Sequence, residues 1–397
     1  MEKTRKTNTM AKPKNKIFFN YATVGLLNMS AYKAVLKFLA EYYYMGPPEV
    51  LEKYENHINK MASEASVLLN CSPDEITYIK NTSEGIIIAS EALPINSGDQ
   101  IILMSGEYPA NFLPWLKKKK DGAEVKIIKT KNSELAYKKL IKSITQKTKV
   151  VSISWGQCYD GFLPNLKKLS EICQKNSAFL VVDGVHGVGA RVLDLQKTNI
   201  DIMSCGGQKN FGSLVGSGFL YINKKTISKL KDFKVSIQSV KSFDLNSYIL
   251  KDTAGRFQDG TQNFAGIVSM HASIKSINRI GINKIEQKNI ALLKIYKKIL
   301  KENKILFLDY ESQANIISLK VSDPKSLTLF LRKQGIYIKA VKDVARISFS
   351  YKSTITEFKN TVKFIKIWLK KSGKTNKNTS LSAINHRPNL IVQQVNL

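Results

Sequence analysis

Acidic residues are few in this chain of 397 residues: 31 Asp and Glu face 62 Lys and Arg, for a net charge of +31. Cysteine is scarcer still. Cys71, Cys158, Cys173 and Cys205 form no C-x-x-C pair, so the spacing suggests neither a zinc site nor a disulfide framework. The histidines His57, His186, His271 and His386 are scattered, and no H-E-x-x-H metal motif exists. No stretch approaches the ~20 apolar residues of a membrane span. The basic Met1–Lys16 segment lacks the apolar run of a signal peptide. There is no Walker A sequence. Gly184-Val-His-Gly187-Val-Gly189 has its glycines in the reverse of the dinucleotide order, and Gly216-Ser-Gly218 leads into a strand-like run. These absences predict a cytoplasmic protein with no membrane segment, no metal and no dinucleotide.

The lysine surplus raises the question of a nucleic-acid partner. Its runs, such as Lys117–Lys120, are short and dispersed. Phe364 and Trp368 lie four apart within the lysine-rich stretch Lys363–Lys371, which reads as the buried face of a helix rather than a base-stacking platform. No specific nucleic-acid partner is expected, although the charge will draw anions, phosphate-bearing cofactors among them.

An apolar fraction of 43% is ample for a core. Short β-branched runs at Gln100–Met104, Val125–Ile128, Val150–Ile153, Ala178–Val182 and Phe219–Ile222 alternate with helical patterns. This predicts an α/β fold: a mostly parallel sheet flanked by helices, with a smaller C-terminal α/β domain. The expected boundaries are a disordered tail at 1–16 and a segment at 17–44 packing at the domain junction. A large cofactor-binding domain at 45–265, a small domain at 266–372 and a flexible tail at 373–397 follow. The small domain should hold long helices at Val268–Asn278 and Lys284–Glu302, weak strands near Ile316–Lys320 and Ile336–Lys339, then Arg346–Phe349 and a final helix, Ile355–Leu369.

Within the large domain, Lys209 sits in a glycine-rich turn, Ser204-Cys-Gly-Gly-Gln-Lys209-Asn-Phe-Gly. Upstream, the apolar run Phe179-Leu-Val-Val ends in Asp183. A lysine amine can hold the aldehyde of pyridoxal 5'-phosphate (PLP) as a Schiff base, and a carboxylate can keep its pyridine nitrogen protonated. Thr82 and Ser83 open a helical pattern after the strand-like Ile76–Ile79, a seat for an anion such as phosphate. The same residues also suit an ordinary helix cap. Tyr108 can offer a flat face to an aromatic ring, or be a loop tyrosine. His186 can bond a phenolic oxygen, or be a structural histidine. The order in which these features occur favours the cofactor site over each simpler alternative.

At this level the chain resembles the class V aminotransferase-type PLP enzymes of fold type I, which include cysteine desulfurases, selenocysteine lyases, kynureninases and isopenicillin epimerase-like proteins. The resemblance runs from about Phe19 to Leu369 and is most specific at Asp183–His186 and Gln208–Lys209. It implies that Lys209 forms the covalent link, that Asp183 pairs with the pyridinium nitrogen, and that His186 contacts the ring oxygen where many members have Gln. Tyr108 would stack on the ring, and Thr82, Ser83 and Gln208 would bind the phosphate. Thr261, in Arg256-Phe-Gln-Asp-Gly-Thr261, would reach the neighbouring subunit's phosphate, which implies a homodimer with shared active sites. Arg346 would clamp the substrate carboxylate, and Asn20 would line the substrate pocket.

The chain also departs from the pattern. Desulfurases carry a nucleophilic cysteine shortly before the carboxylate-binding arginine, whereas Gly335–Ala345 contains none. Cys158 falls where desulfurases often place an Asn. Gly206 replaces a Ser or Thr, and Lys352 replaces an Asn. The implied function is a PLP-dependent enzyme acting on a small α-amino acid, as an aminotransferase or an epimerase-like enzyme. The alternatives are a cysteine or selenocysteine lyase-like β-elimination and a non-catalytic PLP-fold binding protein.

Overall fold

The computed structural model describes residues 16–130 and 132–371. The tails expected at 1–16 and 373–397 lie outside these residues, apart from Lys16.

Seven strands form the main sheet: β1 (Ile76–Ile79), β2 (Gln100–Met104), β3 (Glu124–Ile128), β4 (Thr148–Ser154), β5 (Phe179–Asp183), β6 (Ile202–Gly206) and β7 (Gly218–Ile222). Their spatial order is β1-β7-β6-β5-β4-β2-β3. Only β7 runs antiparallel to its neighbours, β1 and β6; the other pairs are parallel. Apart from β3, at the sheet edge, the strands are buried almost throughout, as near-continuous apolar sequence requires of a sheet covered on both faces. The mostly parallel α/β architecture expected from the sequence is what the chain adopts. Strand β6 lies between Asp183 and Lys209 in the chain.

Helix Thr82–Ala92 crosses β6 so closely that a Cβ at Gly85 would strike the Ser204 hydroxyl. Helix Phe264–Ile280 sends Ile267, Met270, Ile274 and Ile277 into the core of the main sheet. It also packs against helices Met29–Met45 and His57–Leu69.

The C-terminal region builds a second core on a three-stranded antiparallel sheet. Val344–Ser348 is its central strand, between Ile316–Lys320 and Lys339–Val341. Helices Ile282–Glu302, Pro324–Lys333 and Ile355–Lys371 cover it. Trp368 is buried there and Phe364 packs against it, as a helix face rather than a stacking platform. The strand expected at Ile336–Lys339 divides in two. Ile336–Tyr337 pairs in parallel with Ile17–Phe18, and Lys339–Val341 turns into the three-stranded sheet. Phe19 is fully buried in this second core, so the start of the described chain is anchored to its end.

Candidate active site

The site lies beyond the carboxyl ends of β4, β5 and β6, where open parallel sheets leave room for ligands. Asp183 is the last residue of β5 and is buried. One carboxylate oxygen accepts a hydrogen bond from the Val185 amide at 3.1 Å. Burial raises its pKa above the usual carboxylate range, against the opposing pull of the Lys209 charge. A carboxylate with one amide donor in a low-dielectric pocket calls for a cationic donor.

His186 follows in the turn after β5. Its Nδ1 lies 2.9 Å from the Gly156 carbonyl and its Nε2 3.2 Å from the Ala22 carbonyl, so either nitrogen has a carbonyl to donate to. Nε2 also lies 3.0 Å from Lys209 Nζ, from which it accepts when Nδ1 carries the proton. Burial, reinforced by the charges of Lys209 and Arg346, holds the His186 pKa well below the ordinary histidine value. Burial likewise lowers the Lys209 pKa, which enlarges the neutral, nucleophilic fraction of the amine. The charges of Lys209 and Asp183 act on each other. The exposed Tyr108 ring lies 5.9 Å from Lys209 Nζ to its centroid.

The phosphate candidates are arranged around Gly206. The helix cap is provided by Asn81, whose side chain accepts from the Glu84 amide at 3.0 Å. Thr82 is therefore not needed as the cap, and its hydroxyl accepts from the Gly206 amide at 3.0 Å. A Cβ at Gly206 would sit 2.5 Å from Gln208 Oε1 and 3.0 Å from Thr82 Oγ1. Glycine here keeps a polar cradle open. Gln208 Oε1 is buried with no hydrogen-bond partner among the described residues, as is suited to an amide end awaiting a ligand. Ser83 is part-buried at the same helix start. The set fits PLP: an under-partnered carboxylate, a depressed lysine, a flat phenol and a cradle of small polar groups. The exposed Thr261 makes no hydrogen bond among the described residues, and nothing joins it to this cluster within one chain.

Arg346 enters from the central strand of the smaller sheet and is buried. Nη1 donates to the Cys158 carbonyl at 2.7 Å and Nη2 to Thr23 Oγ1 at 2.8 Å. Nε has no partner, and no carboxylate faces the guanidinium among the described residues. Thr23 in turn donates to Asn20 Oδ1 at 2.8 Å, so Asn20 reaches the arginine through Thr23.

Sequence reasoning missed Thr23, Gly25 and Glu107. Residues Asn20–Asn28 form a strap over the lysine turn. The Gly25 amide donates to the Gln208 carbonyl and the Asn28 amide to the Gly212 carbonyl, both at 2.7 Å. A Cβ at Gly25 would collide with the Lys209 carbonyl, which explains the glycine. Glu107 is buried beside the Tyr108 loop and accepts from the Ser154 amide and hydroxyl, Asn111 Nδ2 and Gln157 Nε2. Burial pushes its pKa up to about 7 against those four donors. Cys158 is buried, and its thiol is pushed up to about 12 by burial, so it is no ready nucleophile.

With this geometry in place, comparison with known proteins is decisive. The model of the aminotransferase class-V family matches residues 28–362. The chain belongs to that family. Class-V chains use PLP, and the residues around Lys209 fit it. A probable cysteine desulfurase of Methanothermobacter thermautotrophicus is 30% identical over 220 residues, 55% of each chain. The chain thus matches about half the length of that relative. An uncharacterised protein of Schizosaccharomyces pombe is 23% identical over 88% of this chain and 82% of its own. Among solved structures, a cysteine desulfurase from Thermococcus onnurineus NA1 superposes with a TM-score of 0.81 at 20% identity, covering 90% of this chain and 95% of that one. The cystine C–S lyase C-DES, bound to its product cysteine persulfide, gives 0.82 at 20% identity, with 88% and 97% covered. At these identities the superpositions speak for the class-V fold. Among the described residues, no helix is long and apolar enough to cross a membrane.

Proposed function

We propose that the chain is a PLP-dependent enzyme acting on a small α-amino acid. One observation carries this reading: Lys209 is buried where the charges of both Asp183 and Arg346 act on it, and burial displaces all three from their ordinary pKa values. Bound there, the cofactor supplies an electron sink for charge developing at the substrate α-carbon. Asp183 would hold the ring nitrogen, Tyr108 one ring face, His186 the ring oxygen, and Thr82, Ser83 and Gln208 the phosphate. Arg346 clamps the substrate carboxylate, steadied by Thr23 and Asn20. Lys209, kept partly neutral by burial, accepts and returns the α-proton.

The reaction outcome is an aminotransferase, an epimerase-like enzyme or a lyase. The desulfurase and C–S lyase relatives favour β-elimination. A thiolate-dependent desulfuration is disfavoured, because Gly335–Ala345 has no cysteine and Cys158 is buried with a raised pKa. The same reading includes a homodimer in which Thr261 reaches the partner's phosphate, and a reducing cytoplasm in which the described cysteines stay unpaired.

Reconstitution tests the core of this. The wild-type protein incubated with PLP should gain a visible absorbance band, and borohydride should fix the cofactor to the Lys209 peptide in a mass map. Lys209→Ala should lose the covalent adduct and turnover together. A wild-type protein that stays colourless after reconstitution refutes the proposal.

A further inference from the structure

Where desulfurases carry a nucleophilic cysteine, this chain forms a tight hairpin. Val341 pairs with Val344, which leaves Lys342-Asp343 as a two-residue turn. Lys342 adopts φ 51°, the left-handed conformation such turns require. A non-glycine residue there is uncommon, and it fixes where the side chain starts.

Lys342 Nζ lies 3.7 Å from the centroid of the Tyr159 ring, whereas the other lysine–ring contacts among the described residues measure 5.6–6.0 Å. That separates Lys342 from the many lysines that merely face water. Tyr159 follows Cys158, whose carbonyl receives Arg346. Two cations are therefore held against consecutive residues of one loop. The charges of Arg346, Lys209 and Lys342 all pull the Cys158 thiol's pKa down against its burial.

Lys342 and Arg346 make no ion pair among the described residues. Glu107 is committed to its four donors, and Asp183 lies at the floor of the site beside Lys209. A monocarboxylate on Arg346 would leave the Lys342 ammonium unanswered. A cation steadied over a ring still has N–H groups to donate.

We propose that Lys342 is a specificity-determining residue that binds an anionic group on the substrate side chain, so that the site selects amino acids carrying a second acidic group. This rests on the PLP reading above and deepens it.

The test is a spectroscopic titration of the PLP-loaded enzyme. L-Aspartate and L-glutamate are compared with L-asparagine and L-glutamine, which match them in shape without the charge. Apparent Kd is read from the change in the visible band. The acids should bind about tenfold tighter than the amides, an advantage that shrinks with added salt. Lys342→Met should abolish the preference while leaving amide binding within about twofold, and Lys342→Arg should retain most of it. Equal binding of acids and amides by the wild type overturns the inference, as does a preference that survives Lys342→Met. In both cases the visible band persists, so the PLP reading stands. A protein that never acquires the band sinks both.

Discussion

Glu107 and Asp183 are both buried carboxylates at the carboxyl end of the main sheet, and their surroundings treat them oppositely. Glu107 has four donors on its two oxygens. Asp183 has one amide. The first wall is chemically complete. The second is a half-made contact awaiting something from outside. The contrast repeats among the arginines. Buried Arg191 makes three hydrogen bonds through Nη1 and Nη2, to Ala190, Gln313 and Asn315, against two for Arg346. Buried Arg346 keeps its Nε unpartnered. Burial alone does not separate structural from functional charge; completeness of hydrogen bonding does.

The comparison can be broken by mutation. Asp183→Asn should lower turnover roughly 10³-fold, about 4 kcal/mol of barrier. In the cofactor-free protein the same change should raise the urea midpoint, because a neutral amide needs no counter-charge there. If Asp183→Asn instead destabilises the cofactor-free protein, the two carboxylates are not different in kind. Glu107→Gln should behave in the reverse sense. Its amide group meets donors from Asn111 and Gln157, at a cost of about 2 kcal/mol in urea unfolding, while the position of the cofactor band is unchanged. A stable Glu107→Gln variant with a displaced band would make Glu107 part of the reacting site.

His186 gives the smallest and most pH-dependent effect. Its folded pKa lies below the unfolded value near 6.5, by burial first and then by the charges of Lys209 and Arg346, with the Gly156 and Ala22 carbonyls opposing. Below pH 6.5 the unfolded chain therefore takes up a proton that the folded chain refuses. Stability falls as pH falls, by at most about 1.4 kcal/mol per pH unit from this group. His186→Gln should flatten that acid limb between pH 6.5 and 5 in urea titrations and leave stability at pH 8 nearly unchanged. An unaltered limb would show that His186 is charged when folded.

Much of this was legible in the chain itself. Buried parallel strands announce themselves as apolar runs, and Asp183, His186 and Lys209 stand at the ends of such runs with glycines that mark turns. Arg346 was legible through the family resemblance, since one arginine among many lysines has no local signature of its own. Thr23 was not legible. Its role is to receive Arg346, 323 residues away, and a lone threonine in a loop looks like any other. Glu107 was hidden for a similar reason: its donors Ser154 and Gln157 come from β4 and the loop beyond it. Asn81 took the capping role that Thr82 and Ser83 also suited, because three small polar residues in a row leave the cap position ambiguous by one.

The strap has a consequence for biosynthesis. The Ala22 amide donates to Ser348 Oγ across 326 residues, and the Ser348 amide returns to the Phe19 carbonyl. On the ribosome, the first of these partners waits until Ser348, 326 residues further along, has emerged. Closing so long a loop is entropically slow to be rewarded. The vitamin's grip on a nascent chain should therefore be loose until Ser348 has emerged, so that ordering of the strap marks maturation of the enzyme.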